Sequence, residues 1–355
     1  MLMPFDTSLP YIVRDENAQY YECGFSCDNA IVLHIQDQCF FITDSRYTLE
    51  AKQNVYKHVE VLESSDLLDT LATLLATQRV KKLTFNPNEL SVGFYQTLLS
   101  HTQRHKCELL AAPNFHQKLR IIKSDSQIAL IQKSQKLNKQ AFKEFARFVR
   151  KAIQKGKILS ERDLHFYATM FLSHKGVYDL SFNPIVGLNA TGAKPHALPS
   201  EKNLCKNNDL LLFDAGIKYQ RYCSDRTRTA NVCADMSFGK SQKFASKKQQ
   251  KIYDIVLKAQ ERAISKARSG MRGCEIDALA RDVIESSGYG KYFVHSTGHG
   301  VGLDIHELPH ISAKSEEIIQ DGMVFSIEPG IYLGDEFGVR LEDLVVMKNG
   351  RAEVL

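Results

Sequence analysis

A chain of 355 residues with 43% hydrophobic and 25% charged content has the composition of a globular protein and is long enough for two cores. Its net charge of +5 comes without a dense Lys/Arg stripe interleaved with aromatics, so nucleic acid is not an expected partner; no run of about 18 apolar residues is available to span a membrane. Eight cysteines without a C-x-x-C pair and an N-terminus without a basic segment followed by an apolar core argue for reduced thiols in a cytoplasmic protein rather than a zinc ribbon, disulfide framework or secretory signal.

In chain order, NAIVLHIQDQCFFIT at 29–43 predicts two short strands around a polar turn, and TLEAKQN begins a helix. The helical pattern DLLDTLATLLATQ at 66–78 precedes a strand-like KKLTF. Alternation of this kind predicts a small α/β domain over residues 1–120. Residues 121–355 predict a second, α+β domain with helices near 124–153, 160–175, 248–268 and 274–287. The first two have Ser starts that suit caps, and SERD at 160–163 resembles a capping box. The Lys- and Ser-rich stretch SFGKSQKFASKKQQK at 237–251 predicts a solvated loop leading into a helix.

Chemistry concentrates in the second half. NDLLLFDAGIKY places Asp214 after an apolar strand, and YCSDRTRTA places Asp225 eleven positions later in another short strand. A hairpin would bring the two together. An aspartate buried unpaired costs several kcal/mol, so a positive partner is required; the plainer alternative is a turn aspartate with a surface pair of Asp225 to Arg226 or Arg228. MVFSIEPGIY and GVRLEDLVVM place Glu328 and Glu342 in similar apolar surroundings. Four such carboxylates could hold two hard divalent cations, and an added histidine favours Mn, Co, Zn or Fe over Ca or Mg.

HELPH at 306–310 matches the zinc-protease pattern H-E-x-x-H, which needs both histidines one turn apart on a helix. Pro309 within it, and three glycines in GHGVGLD just before it, predict a non-helical backbone and hence a decoy.

Together, DAGIKYQRYCSDRTRT, HSTGHGVGLDIHE, SIEPGIY and GVRLED resemble the metal-dependent proline peptidases of the pita-bread fold, a family that includes aminopeptidase P and prolidase. YYECGFSCDNA and FFITDSRYTLEA resemble their creatinase-type N-terminal domain. The resemblance implies an α/β N-terminal domain, then an α+β pita-bread catalytic domain with a curved, mostly antiparallel sheet. It implies two divalent ions, Mn foremost, on Asp214, Asp225, His299, Glu328 and Glu342, with Asp225 and Glu342 bridging. His196, His295, His306 and Arg340 match substrate-handling positions, and His310 is expected to be only a nearby loop residue. Where the family usually has Gly, this chain has Arg221.

The implied chemistry is hydrolysis of Xaa-Pro bonds, with Glu328 relaying a proton and His306 and His196 donating to the oxyanion. An Xaa-Pro aminopeptidase acting on proline-containing peptides, as a homodimer or higher oligomer, is the leading expectation. Xaa-Pro dipeptidase (prolidase) is the alternative. Creatine amidinohydrolase and a catalytically inactive binding module are disfavoured, because both fates are marked by loss of the metal ligands.

Overall fold

The computed structural model describes Asp6 and residues 8–355. The chain divides into two compact units, the first ending at Arg120 and the second running from Ile121 to Leu355.

In the first unit, β1 (Tyr11–Val13), α1 (Glu16–Cys23), β2 (Ala30–Ile35), β3 (Gln38–Thr43), α2 (Thr48–Asn54), β4 (Val59–Glu63), α3 (Leu67–Thr77), β5 (Lys82–Phe85), α4 (Val92–Arg104), β6 (Glu108–Ala111) and α5 (Phe115–Leu119) follow one another. The strands form one mixed sheet in the order β4-β3-β2-β1-β5-β6. Strand alternation sends side chains to both faces, so the central strands β2 and β3 carry apolar residues toward both. Val32 and Phe41 belong to one core, Ile31, Leu33 and Phe40 to the other.

The second unit opens with α6 (Asp125–Gln154) and α7 (Glu161–Leu172), both with reciprocal capping boxes at Ser124 and Ser160. Next come β7 (Ile185–Leu188), β8 (Leu210–Asp214), β9 (Lys218–Tyr219), β10 (Tyr222–Cys223), β11 (Thr227–Asn231), α8 (Lys247–Lys266) and α9 (Gly273–Ser286). The unit closes with β12 (Gly298–Gly300), β13 (Glu307–Ile311), β14 (Val324–Ile327), β15 (Gly330–Tyr332), β16 (Gly338–Arg340), β17 (Asp343–Lys348) and β18 (Arg351–Val354).

Helices α6 and α7 bury Phe142, Phe145, Leu164 and Leu172 against Leu211 and Phe213 of the antiparallel β11-β8-β7 sheet. Helices α8 and α9 bury Val256, Ala259, Ile276 and Ile284 against Phe325, Ile327 and Val345 of the antiparallel β13-β12-β14-β17-β18 sheet. Each large side chain so buried contributes about 2–3 kcal/mol.

The expected α/β then α+β order is the one observed. The ladders of the second unit, however, are separate rather than one continuous sheet. They break at the carboxylate positions: β8 ends at Asp214, β14 ends just before Glu328, and β17 begins just after Glu342. Asp225 also departs from expectation, lying between β10 and β11 instead of within a strand. The polar 237–251 stretch is irregular up to Ser246, but Phe238 is buried and Lys240 pairs with Asp343 at 2.8 Å, so it is anchored rather than merely solvated.

Candidate metal centre

Alternation along β8 sends Phe213 into the helix-covered core and places Leu212 against Ile185, Ala197 and Tyr332 on the other face. Asp214 shares that second face. The antiparallel register sets Thr227 of β11 opposite Asp214, which brings Asp225 alongside through the β9-β10 hairpin. That hairpin turns on Gln220 and Arg221, at φ of 47° and 67°. Two successive left-handed residues give the tight, twist-matched turn that usually carries Asn-Gly or Gly-Gly. Arg221 therefore keeps the turn at a conformational cost a glycine would avoid.

Three polar side chains of α6 hold this hairpin. Ser134 donates to the Ile217 carbonyl, Gln135 to that of Asp225 and Asn138 to that of Ala215, each at 2.8 Å. All three are fully buried. They supply hydrogen bonds where the ladder is interrupted, as buried backbone groups require. Gly216 permits the close fit, since a Cβ there would meet the Ser224 carbonyl oxygen at 1.9 Å.

His299 comes from β12, where Gly298 lets the strand approach β14; a Cβ on it would lie 1.9 Å from the Ser326 carbonyl oxygen. Its Nε2 is 3.1 Å from Glu328 Oε1 and 3.8 Å from Asp225 Oδ2. Candidate ligand atoms of Asp225, His299 and Glu342 all lie within 4.8 Å of one another. Thr227 donates to Glu342 Oε2 at 2.7 Å, and Ser326 to Glu328 Oε1 at 3.0 Å. Asp214, Asp225, His299, Glu328, Arg340 and Glu342 line a cavity of about 580 Å³.

Counter-charge is scarce in the cluster, where the Arg340 guanidinium pairs with Asp214. Burial pushes the Asp225 carboxyl well above its usual range, and the Glu342, Asp214 and Glu328 carboxyls push it further. Glu342 is raised in the same way by burial, then by Glu328 and Asp214. Burial raises Asp214 too, against the opposing pull of Arg340. Glu328 and His299 go the other way: burial disfavours charge on both and is the largest single influence, but their mutual hydrogen bond and charge attraction, with help from other neighbours, together overcome it, lowering the acid and raising the base.

Asp214 Oδ1, Asp225 Oδ1 and Glu342 Oε1 are buried without a hydrogen-bond partner. Orphaned carboxylate oxygens at this density demand protons or cations. Oxygen donors joined by one imidazole nitrogen suit a divalent transition metal. The residues present thus fit the metal ions that the sequence implied.

Arg340 is a brace. Its Nη2 donates to Asp214 Oδ2 at 2.6 Å, Nη1 to Tyr332 Oη at 2.7 Å and Nε to Thr227 Oγ1 at 3.1 Å. Tyr332 Oη is in turn 2.8 Å from His295 Nε2. The plainer alternative, a surface pair of Asp225 with Arg226 or Arg228, is not found among the described residues. Both arginines address Asp343 instead, at 3.3 and 2.5 Å, alongside Lys240.

His306 stands edge-to-face against His299, with 4.3 Å between ring centroids. His196 is an exposed residue of the cavity wall, and His295 is half-buried beside it.

HELPH is not a helix. Glu307–Ile311 form β13 and His306 lies just before it, so the two histidines are not set one turn apart on a helix. Glu307 is buried in a 2.6 Å ion pair with Lys123, which removes it from the role of a zincin base. His310, expected in a loop, is an exposed strand residue at the cavity edge.

Sequence reasoning missed Tyr332, Thr227 and the three α6 donors. Tyr332 falls inside the quoted SIEPGIY block, but nothing in a lone tyrosine distinguishes it from core.

Residues 10–122 match the creatinase/prolidase N-terminal domain and residues 129–349 match metallopeptidase family M24. The Xaa-Pro dipeptidase of Pyrococcus furiosus is 38% identical over 237 residues, which is 67% of this chain and 63% of that enzyme. The structure of an Xaa-Pro dipeptidase from Bacillus anthracis superposes with a TM-score of 0.87 at 32% identity, covering 97% of this chain and 92% of that one. The X-Pro aminopeptidase of Thermotoga maritima MSB8 gives 0.83 at 28% identity, over 98% and 94%. An acidic, histidine-bearing cavity, the interrupted ladders that build it and a family match across both units lead to one conclusion: the chain belongs to metallopeptidase family M24, with the fold of the pita-bread proline peptidases.

Proposed function

We propose that this protein is an Xaa-Pro dipeptidase using two divalent metal ions, Mn²⁺ foremost. The observation that carries the hydrolase reading is the set of three orphaned carboxylate oxygens on Asp214, Asp225 and Glu342 beside His299 and Glu328. These five residues would hold the ions. Ions there would polarise the scissile carbonyl and make water nucleophilic near neutral pH.

The chain's own groups do the rest. Glu328, ionised through its contact with His299, accepts and returns a proton. His306 and His196 face the cavity as hydrogen-bond donors to the developing oxyanion. The Arg340–Tyr332–His295 chain fixes Asp214 at one end and the His295 ring at the other. Phe182, Ile185 and Ile305 provide an apolar wall for a prolyl ring.

The dipeptidase reading draws on the Pyrococcus furiosus and Bacillus anthracis relatives and displaces the aminopeptidase as first choice. Aminopeptidase activity remains the second reading, favoured by the Thermotoga maritima neighbour. Hydrolysis of Ala-Pro beside Ala-Pro-Ala by Mn²⁺-loaded protein separates them. Cleavage of the dipeptide alone is expected; cleavage of the tripeptide would establish the aminopeptidase, and cleavage of neither with Mn, Co, Zn or Fe would overturn both.

A further inference from the structure

A second cavity, of about 510 Å³, lies between α6 and the 236–239 segment, apart from the carboxylate cluster. Among the described residues, its wall carries five cations, Lys139, Lys143, Arg147, Arg150 and Arg226, and no carboxylate. The first four follow one another at spacings of four, four and three along α6, which places them on one helix face. Like charges at that spacing oppose helix formation. Among the described residues, no carboxylate forms an ion pair with Lys143, Arg147 or Arg150.

The inner end is more telling. Arg226 reaches Asp343 through Nη1 at only 3.3 Å, while its Nε is buried without a hydrogen-bond partner. Phe142 and Phe238 form an apolar floor, and the Arg226 guanidinium lies 5.7 Å from the centre of the Phe142 ring. Burial and then the nearby Arg226 charge disfavour protonation of Lys139, against the opposing pull of Asp343, and its Nζ donates to the Leu355 oxygen at 2.5 Å.

We propose that this cavity binds a compact anion of the phosphate class, seated between Arg226 and the α6 cations. Planar guanidinium groups with free donors suit tetrahedral oxyanions, and lysines add point charge. This cavity shares no lining residue with the one that holds the carboxylate cluster.

The test is isothermal calorimetry of inorganic phosphate with the metal-loaded, dialysed enzyme at low and high salt. One site that weakens with salt and loses affinity roughly tenfold or more in the charge-reversal variant K143E/R147E is expected. Both residues are exposed, and unchanged Ala-Pro hydrolysis will report an intact fold. K143R/R147K, which keeps the charges, should bind nearly as the parent does. Absence of binding, or a site to which the charge reversal is indifferent, as phosphate on the catalytic metals would be, overturns the proposal.

Discussion

Two sites, one in each unit, handle buried acid in opposite ways. In the first, Glu89 is satisfied on both oxygens: Oε1 faces His116 Nε2 at 2.7 Å and Asn86 at 2.6 Å, and Oε2 accepts the amides of Arg14 and Asp15 at 3.2 Å. In the second, four carboxylates share one cavity with a single guanidinium, and three of their oxygens are orphaned. Glu89 is a structural acid whose neighbours settle its charge. The cavity acids are left unsettled, which costs stability and reserves coordination sites.

This contrast can be broken most forcefully at Asp225. D225N should lose bound metal and lower kcat/KM by roughly 10³-fold or more, as metal analysis and steady-state assays would show. The same substitution should raise the melting temperature of chelator-treated protein, because it removes one of several mutually repelling charges. Retained activity with full metal content would mean that Asp225 is not a ligand.

Glu89 should behave in reverse. E89Q is expected to destabilise the protein by about 3 kcal/mol, the scale for breaking a buried charged network, while metal content and kcat stay unchanged. Denaturant unfolding alongside metal analysis reads both.

The third prediction concerns pH. Folding raises the carboxyl groups of Asp225, Glu342 and Asp214 above their unfolded values. Their contribution is complete below the unfolded carboxylate range. It is lost as pH rises, because the unfolded chain then releases protons that the folded cluster retains. His299, also raised, adds loss in the same direction at higher pH. Metal-free protein should therefore melt lower at about pH 8 than at about pH 5, and the gain from added Mn²⁺ should widen over that interval. A gap that narrows would contradict the charge assignment.

The smallest effect is expected at the hairpin between the aspartates. R221G should stabilise the protein by about 1 kcal/mol by relieving a left-handed residue, with activity unaltered. A loss of stability would mean that the Arg221 side chain contributes more than its backbone costs.

Much of this molecule was legible before the structure. The apolar strands and Ser-capped helices are local signals, and their boundaries moved by only a few residues. Asp214, Glu328 and Glu342 were conspicuous because an acid after an apolar strand violates the pattern around it. Pro309 correctly discounted HELPH.

Other features rest on contacts between distant segments. Ser134, Gln135 and Asn138 look like an ordinary polar patch on an amphipathic helix until the carbonyls they satisfy are known. Arg226 and Arg228 lie beside Asp225 in sequence, yet both serve an acid more than a hundred positions away. The interrupted ladders were hidden for the same reason, since their breaks are repaired by side chains from elsewhere.

Glu342 and Asp343 are neighbours committed to opposite surroundings. Glu342 faces the acidic cavity, whereas Asp343 is enclosed by Arg226, Arg228 and Lys240. In register, β17 sets Asp343 opposite Ile327 of β14. A slip of one residue would exchange the faces, sending a longer acid among the guanidinium groups and a shorter one toward the cavity. The paired acids thus act as an alignment key: the charge pattern that serves the cavity also penalises the nearest misfolded pairing of the strand that delivers it.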